Sequence, residues 1–144
     1  MSEIQSYLFD FTEVDDFFDN WNVKFSTTDM DGSNKFQLVL ASYSPTNISE
    51  CLNANGTLNT TNVTGTRVLD CGLIWNNRTI KLAFDVDFNI GNSIVPLKAV
   101  FLRHKSTGYV MGYSININSF NITNHLIYDA DSIFYSIAKG DING

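Results

Sequence analysis

Hydrophobic and polar residues alternate with a period of two along much of the chain. The clearest run covers residues 80–90, where every second residue is apolar and the intervening positions include Lys81, Asp85 and Asp87. Such alternation is typical of strands that bury one face. Comparable runs predict further strands at 21–25, 35–42, 66–75, 97–103, 109–117 and 133–137.

Turn-forming residues separate these runs. They occur at 31–34, 76–77, 91–92 and 105–108, where Asp, Asn, Ser and Gly tolerate positive φ or bond their own backbone. Short strands punctuated in this way predict an all-β, mainly antiparallel fold of the β-sandwich or jelly-roll type. Pro96 lacks an N–H, so we expect it at a sheet edge, a bulge or a strand start.

Two regions interrupt the alternation. Residues 1–20 form an acidic, aromatic N-terminal segment, in which Thr12–Asp15 resembles a capping box and predicts a short helix after an extended stretch to Phe11. Residues 45–66 are rich in Asn and Thr and poor in apolar residues, which predicts a long loop. We therefore expect one β-sandwich domain over 21–144, preceded by the N-terminal segment.

Composition and charge reduce the number of function classes that we expect for this chain. The 144 residues are 44% apolar and 17% charged, which is enough for one core and unlike a disordered chain. The net charge of −6 arises from six carboxylates in the first twenty residues, which contain no Lys or Arg. No basic surface or long apolar stretch is apparent, so we expect neither nucleic-acid nor membrane binding. The chain also lacks the pattern of a signal peptide at its start, so we expect it to stay in the cytoplasm in which it is made.

The sequence contains no recognisable catalytic or metal-binding constellation. His104 and His125 have no nucleophile motif nearby and are expected at the surface, while the calcium-like runs at 29–33 and 85–89 fail the spacing of an EF-hand loop. We expect no catalytic residues, no metal and no cofactor. Cys51 and Cys71 lack zinc-site spacing; reduced thiols are expected, and a disulfide between them remains open.

Asparagine is abundant and forms six Asn-x-Ser/Thr sequons. Their number follows largely from the composition, and the Asn, Thr, Ser and Tyr side chains are suited to adaptable hydrogen bonds with proteins or sugars. The sequons begin at Asn47, Asn55, Asn59, Asn62, Asn77 and Asn121.

In the stretch 97–137, an apolar strand at 98–102 is followed by the Gly-Tyr-rich run 107–113, a return through 122–124 and an acidic turn before a last strand at 129–134. This pattern resembles the closing segment of small virion structural proteins of tailed bacteriophages, which are made in the host cytoplasm. The resemblance implies a β-sandwich that decorates, plugs or joins parts of a phage head, neck, tail or fibre. It implies partners among other virion proteins and copies of the chain itself, and a location in the virion.

Two function hypotheses follow. The first is a virion structural protein that assembles through sheet edges and its N-terminal segment, since aromatic side chains carry much of the energy at protein interfaces. Those aromatics could instead join the chain's own core. The second is a carbohydrate-binding β-sandwich module that stacks a glycan on Trp75, Tyr43, Tyr109 or Tyr113. The candidate interface residues of the first hypothesis are Tyr7, Phe9, Phe11, Phe17, Phe18 and Trp21, followed by Tyr109 and Tyr113.

Overall fold

The computed structural model describes residues 2–3, 10–11, 29–76, 79–130 and 133–136. These residues form a mainly antiparallel β fold with one short helix, which confirms the predicted fold class. The predicted strand at 21–25, the predicted helix after Thr12 and the turn residue Asn77 lie outside the described residues. The elements are β1 (Ser2–Glu3), β2 (Asp10–Phe11), β3 (Phe36–Tyr43), α1 (Ile48–Cys51), β4 (Thr64–Cys71), β5 (Leu73–Asn76), β6 (Thr79–Leu82), β7 (Val86–His104), β8 (Val110–Tyr128) and β9 (Ile133–Ser136).

The strands form two sheets. The larger sheet has the order β4-β3-β7-β8, with β1 and β2 both pairing with the far edge of β8. The smaller sheet has the order β5-β6-β9. Apart from β1, which runs parallel to β8, the described pairings are antiparallel.

The main core lies between the two sheets. Phe36, Leu38 and Leu40 of β3 contribute alternate side chains to it, and Ile80 and Leu82 of β6 meet them from the smaller sheet. All five are fully buried. The period-two pattern therefore places one face of each sheet in a shared apolar layer, as in a sandwich.

Three local predictions differ from the structure. Residues 80–90 do not form one strand, because the chain turns at 83–85 and leaves Phe84 exposed although it matches the apolar pattern. The strand predicted at 66–75 is divided at Gly72, where a Cβ would lie 2.5 Å from the Gly32 carbonyl oxygen. Gly91 marks a bulge inside β7 with a φ of 68° rather than a turn between strands.

The β7–β8 hairpin dominates the large sheet. Its turn lies at 105–108 as predicted, closed by a hydrogen bond from the His104 N–H to the Tyr109 carbonyl. Further along, between the pairs Leu97–Phe120 and Ala99–Ile115, β7 supplies only Lys98 while β8 supplies residues 116–119. Unequal pairing of this kind bends a hairpin and increases its twist.

Pro96 lies where β7 has a single described neighbour. Ladder pairing with β3 ends at Ala99, whereas pairing with β8 continues and sets Pro96 opposite Asn121. A missing N–H is tolerated where one side of the strand is open. The expectation for Pro96 was an edge, a bulge or a strand start, and the structure places it where one side of β7 has no described partner.

Residues 44–63 cover the outer face of the large sheet. Cys51, Leu58 and Val63 are buried in a second core against β3 and β7, where they meet residues such as Phe101. The segment contains α1 and a β-bridge between Leu52 and Leu58. Its few apolar residues are thus concentrated at the positions that contact the sheet.

Asparagine side chains give this covering segment its local structure. Oδ1 of Asn47 accepts hydrogen bonds from the backbone N–H and hydroxyl of Ser49, at 3.0 and 2.9 Å. Asn55 accepts the same two bonds from Thr57, at 3.1 and 2.6 Å. Because such Asx turns bond a side chain to the backbone two residues on, they order a loop without needing apolar contacts. Several Asn-x-Ser/Thr sequons are therefore structural units of this segment.

Candidate assembly surfaces

Eight aromatic residues are predicted to form an interface, and the structure describes three of them. Tyr7, Phe9, Phe17, Phe18 and Trp21 lie outside the described residues. The remaining three are placed at the β8 side of the large sheet. Phe11 pairs with Gly112 in the ladder, while Tyr109 and Tyr113 are partly buried against the main core and the second core respectively.

The N-terminal segment reaches the far edge of the large sheet. β1 aligns Ser2 with Leu126, and β2 aligns Asp10 with Tyr113. Both strands have two residues, so each pairing is short. Strands β1 and β2 therefore pair with the edge of the sheet opposite to β4.

Strand β4 forms the other edge of the sheet. It pairs with β3 on one side from Thr64 to Cys71, and no described strand pairs with its second side. Among its eight residues only Cys71 is buried. An edge strand presents unpaired N–H and C=O groups along its free side, which another strand can bond.

A polar ladder crosses the sheet near one end of β4. The Gln37 amide donates to Asp70 Oδ1 at 3.0 Å, and the Arg103 Nε donates to Gln37 Oε1 at 3.0 Å. Lys105 Nζ lies 2.6 Å from Asp70 Oδ2. These bonds from Lys105 and Gln37 lower the pKa of Asp70. The ladder fixes the register of three strands and engages the only carboxylate in β4.

Four large apolar side chains of β3, β7 and β8 are exposed. Ile117 is 82% exposed and Ile94 is 67% exposed, while Tyr43 and Phe120 are 62% and 45% exposed. Ile94 lines a shallow groove together with Ser42 and residues 65–67, at the end of β3. Phe120 lies opposite Leu97, a residue of the main core. Singly exposed apolar residues are common on protein surfaces, whereas a contiguous apolar patch marks an interaction site.

Two of these exposed residues each have a cation nearby. Arg67 lines the same groove as Ile94 and has no ion pair within the described residues. Lys98 Nζ donates to the Ile117 carbonyl at 2.7 Å and to Thr46 Oγ1 at 3.1 Å, both of which are neutral oxygens. Arg67 is thus near Ile94, and Lys98 is near Ile117.

A separate polar cluster surrounds His104. Its Nε2 lies 2.9 Å from Asp29 Oδ2, and its Nδ1 lies 3.4 Å from both the backbone N and Oγ1 of Thr107 and 3.5 Å from Ser106 Oγ. The expectation of a surface His104 is wrong, because only 6% of the residue is exposed.

The bonding of His104 indicates a structural role for its ring. The Thr107 backbone N–H can only donate, so Nδ1 accepts and Nε2 carries the proton directed at Asp29. The contacts to Nδ1 come from Ser106 and Thr107, which belong to the turn that follows His104. The ring joins the β7–β8 turn to the chain at Asp29. His125, by contrast, is partly exposed and lies 2.8 Å from Asp87.

The four aromatic residues of the carbohydrate hypothesis do not form one exposed platform. Trp75, Tyr109 and Tyr113 are partly buried against the cores, and Tyr43 alone is mostly exposed. Gly56 packs directly under the Tyr109 ring, since a Cβ there would lie 2.6 Å from its Cε1. The glycan-binding hypothesis stays a prediction, with one exposed ring instead of four.

The two cysteines are free thiols on opposite faces of the large sheet. Cys71 belongs to the main core and Cys51 to the second core. Burial raises the pKa of both thiols. They are therefore poor nucleophiles, and the intervening sheet keeps them from forming a disulfide with each other.

In the part of the chain that the structure describes, no group of three or more His, Cys, Asp or Glu side chains is arranged to hold a metal ion. Helix α1 has four residues, and no helix among the described residues has the length and apolarity to cross a membrane.

Comparisons with protein-family models, curated proteins and solved structures found no match.

The sequence pattern did not predict the exposure of Ile117. Ile117 continued the alternation of the predicted strand 109–117, and only the irregular pairing of β8 leaves it exposed. The neighbouring residues could have indicated this exposure, since Ile117 lies between Asn116 and Asn118 at the start of a polar run.

Proposed function

We propose that this protein is a structural component of a tailed-phage particle that assembles through protein–protein contacts and not through catalysis. It would be made in the host cytoplasm and incorporated into the head, neck, tail or fibre. The observation that supports this most strongly is the open edge of β4, where seven of eight residues are not buried. The resemblance of residues 97–137 to small virion structural proteins supports a phage particle over other assemblies.

The β4 edge carries few of the features that prevent strands from pairing between molecules. It contains no proline and no lysine, and its central residue Val68 is apolar and 40% exposed. Its two charges are Arg67 and Asp70, of which Asp70 is engaged by Lys105 and Gln37. Monomeric β proteins commonly protect edges with inward charges, prolines or bulges. An edge of this kind suits the addition of a strand from a neighbouring subunit.

Charging the centre of the edge tests the proposal. We expect Val68→Lys to reduce self-association or binding to particle proteins, because a lysine at the centre of an added strand pair must lose water when the strands meet. Sedimentation velocity across a concentration series measures self-association. The matched control is Phe84→Lys, which introduces the same charge at a residue of similar exposure in the turn between β6 and β7.

The location in a particle needs a separate measurement. Mass spectrometry of purified particles from the genome that encodes the chain should detect it at a fixed ratio to the major capsid protein. Absence from particles, together with a monomer at every concentration, would rule out the proposed function. Equal loss of association in both lysine variants would show that β4 is not the contact.

A further inference from the structure

We infer that β4 pairs with β4 of a second copy of this chain, as two antiparallel strands related by a two-fold axis at Val68. The inference rests on the proposed assembly function and specifies the partner and the register of the contact at this edge. Binding of a different particle protein at the same edge is the alternative that the experiments separate from it.

The backbone groups on the free side of β4 follow from the pairing of its neighbours. The Lys105 N–H donates to the Lys35 carbonyl at 2.9 Å, just before the first ladder pair of β3 with β7. Because hydrogen bonds alternate along an antiparallel ladder, the odd-numbered residues of 37–41 bond β7 and the even-numbered residues of 36–40 bond β4. Their partners in β4 are Arg67, Leu69 and Cys71. The backbone groups that face the free side are therefore those of Thr66, Val68 and Asp70.

A second β4 is the edge that best matches this free side. The opposite edge of the large sheet is partly occupied, because β1 and β2 pair with β8. The strands of the smaller sheet have four residues each, half the length of β4. Two copies of β4 that meet edge to edge present the same surface to each other, which is the self-complementary contact of a two-fold dimer. The large sheets of the two copies then form one continuous sheet.

The free backbone groups favour a register centred at Val68. In that register Val68 lies opposite the partner's Val68, and Thr66 lies opposite the partner's Asp70. All three residues with free backbone groups then pair with one another, and each pair exchanges two hydrogen bonds. A register centred at Thr66 or Leu69 leaves at least one of the three without such a partner.

Charge excludes two further registers. Centring the pair at Arg67 places two guanidinium groups opposite each other, and centring it at Asp70 does the same with two carboxylates. Like charges directly opposite destabilise a strand pair. In the register centred at Val68, each charged residue of β4 lies opposite an uncharged or oppositely directed neighbour: Asp70 faces the partner's Thr66, and Arg67 faces the partner's Leu69.

The side chains are also compatible with this register. Arg67 and Leu69 lie on the main-core face of the sheet, since their partners in β3 are Leu40 and Leu38. Arg67 lines a groove with Ile94, which is 67% exposed. The partner's Leu69 comes beside the aliphatic part of Arg67 at this groove, where the two can pack together. On the other face the two Val68 side chains meet at the axis.

Disulfide trapping of a single variant tests the register. Directly opposite residues in a hydrogen-bonded antiparallel pair have Cα atoms about 5.5 Å apart, which is within the range of a disulfide. Full-length Val68→Cys should therefore form a disulfide-linked dimer after mild oxidation, detected by intact-mass analysis. The native thiols give a low background, because Cys51 and Cys71 are buried and their pKa values are raised.

Two controls distinguish this register from chance collision. Thr66→Cys changes an exposed residue of the same strand, but the two thiols lie four residues apart along the pair, about 14 Å at about 3.4 Å per residue. Phe84→Cys changes an exposed residue in the turn between β6 and β7. The yield with Val68→Cys should exceed both controls severalfold. A yield no higher than either control would overturn the inference.

A charge exchange at the axis supplies an independent measurement. Val68→Lys alone and Val68→Glu alone should each be monomeric in sedimentation velocity, because like charges lie opposite each other at the axis. An equimolar mixture of the two variants should recover a dimer, which native mass spectrometry should show to contain one chain of each. Only a contact that sets residue 68 opposite itself gives this recovery, so a mixture that stays monomeric would contradict the inference.

These results separate the inference from the proposed function. If the native chain alone is monomeric and Val68→Cys is not trapped, yet the chain occurs in particles at a fixed ratio, the partner at β4 is another protein. The inference then fails while the proposed function stands. If the chain neither associates nor occurs in particles, both fail.

Discussion

Replacing Leu58 with alanine tests whether residues 44–63 cover the sheet. Leu58 is 7% exposed and belongs to the second core with Val39 and Phe101. The change removes three carbons, which at about 0.8 kcal/mol per buried methylene amounts to about 2.4 kcal/mol of transfer free energy. A residual cavity adds to this cost, so we expect a loss of about 2–4 kcal/mol in the free energy of unfolding.

The measurement is urea unfolding followed by tryptophan fluorescence, with a thermal scan as a second readout. A loss of this size should lower Tm by roughly 5–15 °C for a chain of this length. The matched control is Thr60→Ala in the same segment, where an exposed side chain is removed and a change within about 0.5 kcal/mol is expected. If Leu58→Ala is as stable as Thr60→Ala, the segment does not contribute a core and the reasoning is wrong.

Two further predictions concern polar groups. Asn55→Ala should cost about 1–2 kcal/mol, because Thr57 loses the acceptor of two hydrogen bonds; Asn92→Ala, an exposed asparagine in β7, should be neutral in the same urea titration. The hydrogen bonds from Lys105 and Gln37 lower the pKa of Asp70 in the folded state. The ionised Asp70 side chain therefore stabilises the fold at pH values above its unfolded pKa of about 3.9. This stabilisation is lost as the pH falls through the lower pKa of Asp70 in the folded state. The urea midpoint of the native chain should therefore exceed that of Asp70→Asn at neutral pH and converge with it in acid; a difference that persists at the lowest pH would contradict this.

Local sequence determined the strands and several of their turns. The alternation from Phe36 onward defines the buried face of β3, and the residues at 105–108 define the turn of the long hairpin. Both depend on interactions between residues close in sequence, which are the interactions that residue order encodes directly. Abundant Asn-x-Ser/Thr motifs belong to the same class, although their role as Asx turns became evident only from the bonds of Asn47 and Asn55.

The tertiary structure decided what the local pattern leaves open. Phe84 and Phe88 have the same place in the alternation, yet a turn exposes Phe84 while the sheet buries Phe88. Strand order makes β4 an edge and β7 a central strand over part of its length, and this order depends on pairings between residues distant in sequence. The second core likewise requires a polar segment to fold back on the sheet. The two-residue period of apolar and polar residues can assign a side chain to one of the two faces of a strand. Only the neighbouring strands, helices and loops determine whether that face is covered.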